Sequence, residues 1–268
     1  MATFFDLTKP EHAYLFGFLQ TDGHLDKGKG NKGSLTVELQ ASDVEILEQF
    51  QKLLLPNYSS ITVRTRDTNF AVGSQSAIWC LCDQAIREEL VSLGLPHGNK
   101  SDTIGLPRTA FSETDYFRGI IDGDGSLGLT GQGFPFLSLV TKSPCLAQGY
   151  FAWVQKLTGK ILGTKPNKRD KAYNICVTKE DAQTLAKALY YSDCTCLQRK
   201  QVSAQQVISW VRPDGMTKVN WKIKPWTPEE NALLFQYTPH EASEILQRTE
   251  ASIKSRLWRL QRKSPLVS

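Results

Sequence analysis

The chain has 268 residues, a formal net charge of +5 and a pI near 8.8, so it is mildly basic. This length can hold one large domain or two ordinary ones, and the charge permits a nucleic-acid partner without requiring one. No apolar run approaches membrane-spanning length, and the first ten residues lack the pattern of a signal peptide. The six cysteines include no CxxC pair with matching histidines. We therefore expect a soluble intracellular (cytoplasmic) protein with reduced thiols rather than a zinc protein.

Two segments of the chain share one plan, AYLFGFLQTDGHL at Ala13–Leu25 and YFRGIIDGDGSL at Tyr116–Leu127. Both place apolar residues around a glycine ahead of an Asp-Gly pair. Three pairs of residues correspond at a constant spacing of 102: Gly17 with Gly119, Asp22 with Asp124, and Gly23 with Gly125. The sequence therefore predicts two copies of one structural unit.

Each repeated segment is predicted to be a helix that ends at Asp-Gly. Apolar residues cover most faces of both helices, so both should be buried. Gly17 and Gly119 would let the two helix backbones approach closely, which makes each helix the simplest partner of the other. Gly23 and Gly125 are expected to end the helices in the left-handed conformation.

Asp22 and Asp124 should then emerge side by side at one end of the helix pair. Two partly buried carboxylates repel each other unless a positive charge lies between them. A hard divalent cation such as Mg²⁺ would relieve this repulsion. The alternative is that both aspartates serve only as turn residues at helix ends.

The segment FRGIIDGDG closely resembles the LAGLIDADG motif of homing endonucleases, and LFGFLQTDG resembles it less exactly because Gln20 replaces the first acid. The resemblance implies that Asp22 and Asp124 bind catalytic metals, Mg²⁺ or Mn²⁺. It adds Thr21 and Gly123, which precede them, to the metal site. Asp122 matches the non-catalytic acid of the motif. Two motifs in one chain resemble the monomeric branch of the family.

Alternating and helical hydrophobic patterns predict the same element order twice, as an α+β protein of two αββαββα halves. The predicted elements after the motif helices are strands 34–40, 61–66 and 77–82 with helices 43–55 and 83–93, and then strands 136–141, 160–164 and 173–177 with helices 143–157 and 180–190. The family resemblance extends over residues 11–200 and includes NKSDTIGLP at Asn99–Pro107 and LQRK at Leu197–Lys200. It implies a pseudo-twofold, duplicated endonuclease fold whose two antiparallel sheets form a saddle over duplex DNA.

Basic residues on the predicted strands and turns are candidates for contacts with DNA phosphates. Each of them has the alternative of belonging to an ordinary solvated face. The candidates in the two halves are Lys27, Lys32, Arg64, Arg66, Lys142, Lys168 and Arg169.

The resemblance also implies a basic residue near each metal, after the later strand of each half. Lys179, in VTKED, matches this position in the second half and is taken as the third catalytic residue with Asp22 and Asp124. Its alternative is a surface lysine at a helix start. The first half offers Asp83 or Gln84 instead, which predicts two unequal active sites.

The C-terminal region is predicted to be a separate module. Pro213, Gly215 and Pro225 indicate a linker at 211–225. Two capping boxes with proline, TPEE and TPHE, then start helices, and Thr249 can cap a third. The third helix carries Lys254, Arg256, Arg259, Arg262 and Lys263. The region resembles a Myb/SANT-like helix-turn-helix, which implies DNA binding; a solvated basic helix or a protein-docking module is the alternative.

The sequence thus predicts five regions: a first LAGLIDADG half (1–97), an inter-half linker (98–113), a second half (114–210), a linker (211–225) and a helix-turn-helix module (226–268). The implied function is a monomeric homing endonuclease of a mobile element, which hydrolyses both strands of a long duplex target and leaves 3′ overhangs. The rivals are a catalytically silent RNA maturase or DNA-binding regulator, and an intein-embedded nuclease. Met1 and the lack of a splicing Cys or Ser at the start or a His-Asn end favour a free-standing protein.

Overall fold

The structure is a computed structural model, and it divides into two compact units, Met1–Val211 and Arg212–Ser268. The residues that it describes are 3–54, 58–67, 73–163, 165–216 and 226–261. Within these ranges, no helix combines the length and the apolar character that a membrane span requires.

The first half of the larger unit forms a four-stranded antiparallel sheet covered by helices. Its elements are α1 (Pro10–Asp22), β1 (Gly23–Leu25), β2 (Leu35–Gln40), α2 (Val44–Leu54), β3 (Ser59–Arg66), β4 (Ser74–Leu81) and α3 (Gln84–Leu93). The strand order in the sheet is β1-β2-β4-β3. One face of β4 is buried at alternate positions, as in a strand with one side against the core.

The second half follows nearly the same order. Its elements are α4 (Glu113–Gly123), β5 (Gly125–Leu129), β6 (Pro135–Thr141), α5 (Pro144–Thr158), β7 (Tyr173–Thr178), α6 (Lys179–Leu189) and α7 (Gln198–Ile208). The antiparallel sheet has the order β5-β6-β7.

The strand predicted at 160–164 is wrong for residues 160–163, which form no regular structure. Gly159 ends α5 in the left-handed conformation, with φ 70°. Ile161, whose apolar character suggested a strand, is 79% exposed. Thr164 lies outside the described residues.

The helices α1 and α4 pack against each other in the middle of the larger unit, and both are buried along most of their length. A Cβ atom on Gly17 would lie 2.3 Å from the carbonyl oxygen of Tyr116, and one on Gly119 would lie 2.2 Å from that of Tyr14. Such distances are impossible for a side chain, so glycine is required at both positions. The predicted pairing of two buried helices through their glycines is confirmed.

The prediction for the helix ends was wrong. Gly23 has φ −76° and ψ 139°, an extended conformation that begins β1, and Gly125 begins β5 without a positive φ. Glycine is needed for space instead, since a Cβ on Gly23 would lie 2.6 Å from the Leu19 carbonyl oxygen and one on Gly125 would lie 2.7 Å from Cα of Ile121. Each strand therefore turns back closely over its own helix.

The described residues of the smaller unit form three short helices with a core of their own. They are α8 (Pro228–Leu233), α9 (Pro239–Leu246) and α10 (Glu250–Gln261). Thr227 and Thr238 form the two predicted capping boxes, and the Thr249 hydroxyl accepts the Ser252 N–H at 3.3 Å. The core contains Leu234, Ala242, Leu246 and Ile253. Arg262, Lys263 and the linker residues 217–225 lie outside the described part of the chain.

Candidate active site

Asp22 and Asp124 line one cleft of the larger unit, with a volume of about 600 Å³. Asp22 is the last residue of α1, and Asp124 directly follows α4. The glycine contacts between the helices bring these two ends together. Asp22 is half-buried, whereas Asp124 is exposed to the cleft.

Both carboxyl groups have raised pKa values, mainly because they are partly desolvated in the cleft. Burial and, to a smaller extent, the negative charge of Asp124 together raise the pKa of Asp22 to about 6, although nearby basic residues act in the opposite direction. Desolvation within the cleft also raises the pKa of Asp124. The repulsion expected between the two aspartates is therefore present, and it makes the cleft a favourable place for a cation.

Lys100 is the first of two buried lysines beside these aspartates. Its ammonium group donates to the carbonyl oxygens of Thr21, at 2.8 Å, and of Gly23. These residues flank Asp22, so the lysine is fixed to the backbone around the first acid. Burial lowers the pKa of Lys100 to about 8, while Asp22 and Asp124 act in the opposite direction.

Lys200 occupies the matching place beside the second acid. Its ammonium group donates to the carbonyl oxygens of Ile121, at 3.2 Å, and of Gly125. Burial lowers its pKa, and nearby carboxylates oppose this shift. Lys100 and Lys200 are only 9% and 8% exposed, respectively, so both charges are directed at the aspartate-bearing backbone rather than at bulk water.

Sequence reasoning named neither lysine as a site residue. It had nonetheless singled out both segments that contain them, Asn99–Pro107 and Leu197–Lys200. Each of these two short segments contains one of the lysines. Both segments lie far along the chain from the aspartate that their lysine accompanies.

The structure does not bring Lys179 to the aspartates. Lys179 begins α6, and its ammonium group lies 5.7 Å from the ring centre of Phe134. It is absent from the residues that line the cleft in the described structure. Its counterpart in the first half, Asp83, caps α3 by accepting the N–H groups of Ala85 and Ile86 at 3.0 and 3.2 Å. Both positions therefore act as helix starts.

Asp122, the other acid of the second motif, is fully buried and holds the segment that carries Lys200. It accepts hydrogen bonds from the hydroxyls of Tyr14 and Tyr190, at 2.8 and 2.6 Å, and from the N–H of Leu197 at 2.7 Å. Leu197 is the N-cap of α7, the helix of Lys200. Burial raises the pKa of Asp122, while these three donors stabilise its ionised form.

Gln20 holds the segment that carries Lys100, as Asp122 holds the segment that carries Lys200. It does so by donating hydrogen bonds to that segment, whereas Asp122 accepts one. Its amide nitrogen donates to the carbonyl oxygens of Gly94 and Gly105, at 3.4 and 3.0 Å, and its oxygen accepts from the hydroxyl of Tyr116 at 2.5 Å. Gly94 and Gly105 bracket the segment that contains Lys100. Because this segment presents carbonyl groups, an amide suits position 20 better than an acid does.

The described residues include no group of three or more His, Cys, Asp or Glu side chains arranged to hold a metal ion. Asp22 and Asp124 nevertheless supply anionic oxygen donors, which suit a hard cation such as Mg²⁺ or Mn²⁺. The carbonyl of Thr21, a predicted member of the site, already accepts from Lys100. A Cβ on Gly123 would lie 2.0 Å from the Thr21 hydroxyl and 3.0 Å from an Asp22 carboxylate oxygen, so the space beside the acid depends on glycine here. The residues present fit a divalent cation.

The predicted DNA-contacting residues of the larger unit differ in their surroundings. Arg64 and Arg66 lie on β3 and both pair with Glu38, at 2.8 and 3.1 Å. This carboxylate compensates part of their charge. Lys142 lines the cleft and is exposed, and Arg169 contacts its neighbour Asp170 at 3.4 Å. The exposed Lys32 and Lys168 lie on turns, and Lys27 lines a second pocket.

In the smaller unit, Arg256 differs from its two neighbours on α10. Its Nε donates to Asn231 at 2.8 Å, and its guanidinium lies 5.7 Å from the ring centre of Trp226. The Arg256 guanidinium therefore packs within the helical bundle, and the DNA-binding role predicted for it stays a prediction. Lys254, which pairs with Glu250 at 3.0 Å, and Arg259 are exposed.

Comparison with known proteins supports a specific fold. Residues 9–78 match the model of the LAGLIDADG-like domain. The homing endonuclease I-WcaI, bound to its DNA recognition sequence, aligns with a TM-score of 0.51 at 16% identity, covering 74% of this chain and 87% of that one.

Two further solved structures align less well. Mesophilic variants of the homing endonuclease I-DmoI give a TM-score of 0.48 at 15% identity, over 75% of this chain and 99% of theirs. Full-length DUF199/WhiA from Thermatoga maritima gives 0.47 at 13% identity, over 96% and 93%. No curated protein matches the chain. The chain therefore contains a LAGLIDADG-like domain and shares a mixed α+β fold with a DNA-bound homing endonuclease.

Proposed function

We propose that this protein is a site-specific, metal-dependent DNA endonuclease built from two LAGLIDADG halves. The observation that supports this most directly is the pair Asp22 and Asp124 in one cleft, each accompanied by a buried lysine. A protein that only binds nucleic acid has no need of two carboxylates with raised pKa values facing each other. A nuclease has that need.

Asp22 and Asp124 would hold a divalent cation, which when bound supplies charge neutralisation at the phosphate and a more acidic water. Thr21 and Gly123 remain predicted members of the metal site, although the Thr21 carbonyl already accepts from Lys100. One acid would serve each DNA strand, so that both strands are cut and 3′ overhangs remain, as the family resemblance implies. Lys100 and Lys200 would stabilise the charge that develops on the phosphate oxygens.

The chain's own residues also prepare the site for this reaction. Gln20 and Asp122 fix the segments that carry the two lysines, so neither lysine has to be ordered when DNA binds. Gln20 replaces the usual first acid of the motif, but it still positions the segment that carries Lys100. The two halves still differ, since Thr21 stands where the second half has Gly123, and we expect unequal rates for the two strands.

The smaller unit is proposed to be a helix-turn-helix module that binds DNA through α10. Lys254 and Arg259 are exposed on α10, which supports this role. Arg256 instead packs within the helical bundle through its hydrogen bond to Asn231. Joining such a module to the larger unit would raise its effective concentration on DNA.

The proposal is tested by incubating the protein with a randomised library of duplex DNA and Mg²⁺ or Mn²⁺. The variants are Asp22→Asn, Asp124→Asn, Lys100→Met and Lys200→Met. Asp102→Asn is the matched control, since this exposed aspartate lies near Lys100 but outside the cleft. We expect sequence-specific double-strand breaks from the wild type and the control, and at least a hundredfold slower cleavage by each site variant.

Binding should be measured on the same variants by fluorescence anisotropy. Retained DNA affinity in the site variants would separate catalysis from binding. Specific binding without cleavage by the wild type, with every divalent ion tried, would instead favour a catalytically silent DNA-binding regulator. Preference for structured RNA over duplex DNA would favour a maturase.

A further inference from the structure

A second pocket lies between α3 and the turn that connects β1 to β2. Its volume is about 260 Å³, several times the ~30 Å³ that one water molecule occupies in the liquid. The side chains of α3 form one wall, and the turn 27–30 forms another. The lining includes Lys27, Lys29, Arg87, Glu88 and His97.

Arg87 is the feature that calls for a ligand. It is only 4% exposed, and its guanidinium group carries five N–H donors and no acceptor. Its terminal nitrogens donate to the carbonyl oxygens of Gly28, at 3.2 Å, and of Gly30. Among the described residues no carboxylate pairs with Arg87, and its Nε has no hydrogen-bond partner. A buried cation whose partners are neutral carbonyls is costly unless an anion accompanies it.

The turn is shaped around this guanidinium. A Cβ on Gly33 would lie 2.4 Å from an Arg87 terminal nitrogen, and one on Gly28 would lie 2.5 Å from the Gly33 nitrogen. Both positions therefore require glycine for close backbone packing. The pocket wall is thus built in advance, so little ordering is required when a ligand enters.

The remaining side chains give the pocket a positive balance. Lys27 and Lys29 are exposed, and neither pairs with a carboxylate in the described part of the chain. Glu88 is the one acid of the lining, and its carboxylate accepts from Gln84 at 2.6 Å. His97 also lines the pocket, and its Nδ1 lies 3.1 Å from the carbonyl oxygen of Asp26.

We propose that this pocket binds a phosphoryl anion, with Arg87 as the buried counter-charge and Lys27 and Lys29 as the outer contacts. Planar guanidinium groups and flexible ammonium groups together suit phosphate oxygens. The anion is either a backbone phosphate of DNA or a free phosphate. A DNA phosphate as the ligand depends on the proposed DNA-binding function, whereas the existence of an anion site does not.

The test uses the full-length protein and inorganic phosphate as the probe. NMR of the four histidine imidazoles reports on binding, because His97 lines the pocket whereas His12 and His240 do not. Ionic strength is kept constant with NaCl, and His97→Gln identifies the signal. We expect a saturable shift of His97 with no shift of His240.

Lys29→Gln and Lys32→Gln form a matched pair of variants. Both lysines are exposed on the same turn, but only Lys29 lines the pocket. Lys29→Gln should weaken phosphate binding by about fivefold, and Lys32→Gln should leave it unchanged. An unsaturable shift, or equal affinities in the two variants, would overturn the proposal.

A second titration distinguishes the two sources of phosphate. Duplex DNA is added without divalent ions, so no cleavage takes place. If DNA shifts His97 and inorganic phosphate competes with it, the ligand is a DNA backbone phosphate. If phosphate shifts His97 and DNA does not, the pocket holds a free phosphate. Both results support the anion site and are independent of whether the protein cleaves DNA.

Discussion

Asp22→Asn is expected to stabilise the metal-free protein while abolishing the proposed activity. The unfolded chain ionises an aspartate near pH 3.9, whereas the folded protein does so at about pH 6 for Asp22. The folded state therefore binds more protons between these values, so that stability falls as the pH rises from about 4 to about 6 and is then constant. A rise of roughly two pH units corresponds to about 3 kcal/mol. Since Asp22 faces the solvent of the cleft, we expect about 1 to 3 kcal/mol.

Asparagine has the shape of the neutral acid and avoids this penalty. In the presence of a chelator at pH 7.5, Asp22→Asn should raise the melting temperature by about 3 to 10 °C. At pH 4 the advantage should nearly vanish. Asp102→Asn removes an equal charge from an exposed position and should have no comparable effect.

Differential scanning calorimetry at the two pH values measures the effect. A variant that is less stable than the wild type at pH 7.5, or a gain of equal size at pH 4, would refute the argument that burial and the charge of Asp124 destabilise the ionised form of Asp22. Adding Mg²⁺ should then stabilise the wild type more than the variant, because the variant has lost half of the anionic pair.

The remaining predictions concern packing and positioning. Gly119→Ala should lower the free energy of unfolding by about 3 kcal/mol or more, because its Cβ would meet backbone atoms at 2.2 Å, whereas Gly131→Ala, in open space, should change it little in urea unfolding. Asp122→Ala should cost about 3 kcal/mol by the same measurement, since three buried donors lose their acceptor. Arg256→Ala should destabilise the smaller unit by about 1 kcal/mol in thermal unfolding, and Arg259→Ala should not. Equal changes in stability for Gly119→Ala and Gly131→Ala, or for Arg256→Ala and Arg259→Ala, would contradict the packing described above.

The sequence predicted the central helix pair well because the signal is local. Apolar residues on all faces require burial, and two glycines at the same place in two such helices allow close packing. The conformation of Gly23 was not predictable in this way, because Asp-Gly is compatible both with a left-handed helix end and with a tight turn into a strand. The strand predicted at 160–164 failed for a similar reason, since a short apolar run has no partner specified by its own residues.

The lysines of the candidate site were missed because nothing local marks them. Lys100 and Lys200 acquire their environment from carbonyl groups of residues more than 70 positions away in the chain. Lys179 was chosen by its position after a strand, but the actual placement of a basic group depends on which loop packs against the helix ends. Only the tertiary fold decides that.

The hydrogen bonds of Gln20 have a consequence for protein engineering. Aligning the two motifs would suggest replacing this residue with aspartate, to match Asp122 and the usual form of the motif. An aspartate there would face the carbonyl oxygens of Gly94 and Gly105, to which Gln20 now donates, and would find its donor only in Tyr116 among the bonds described at this position. A consensus substitution at position 20 would therefore weaken the scaffold, unless the loop that carries Lys100 were exchanged with it.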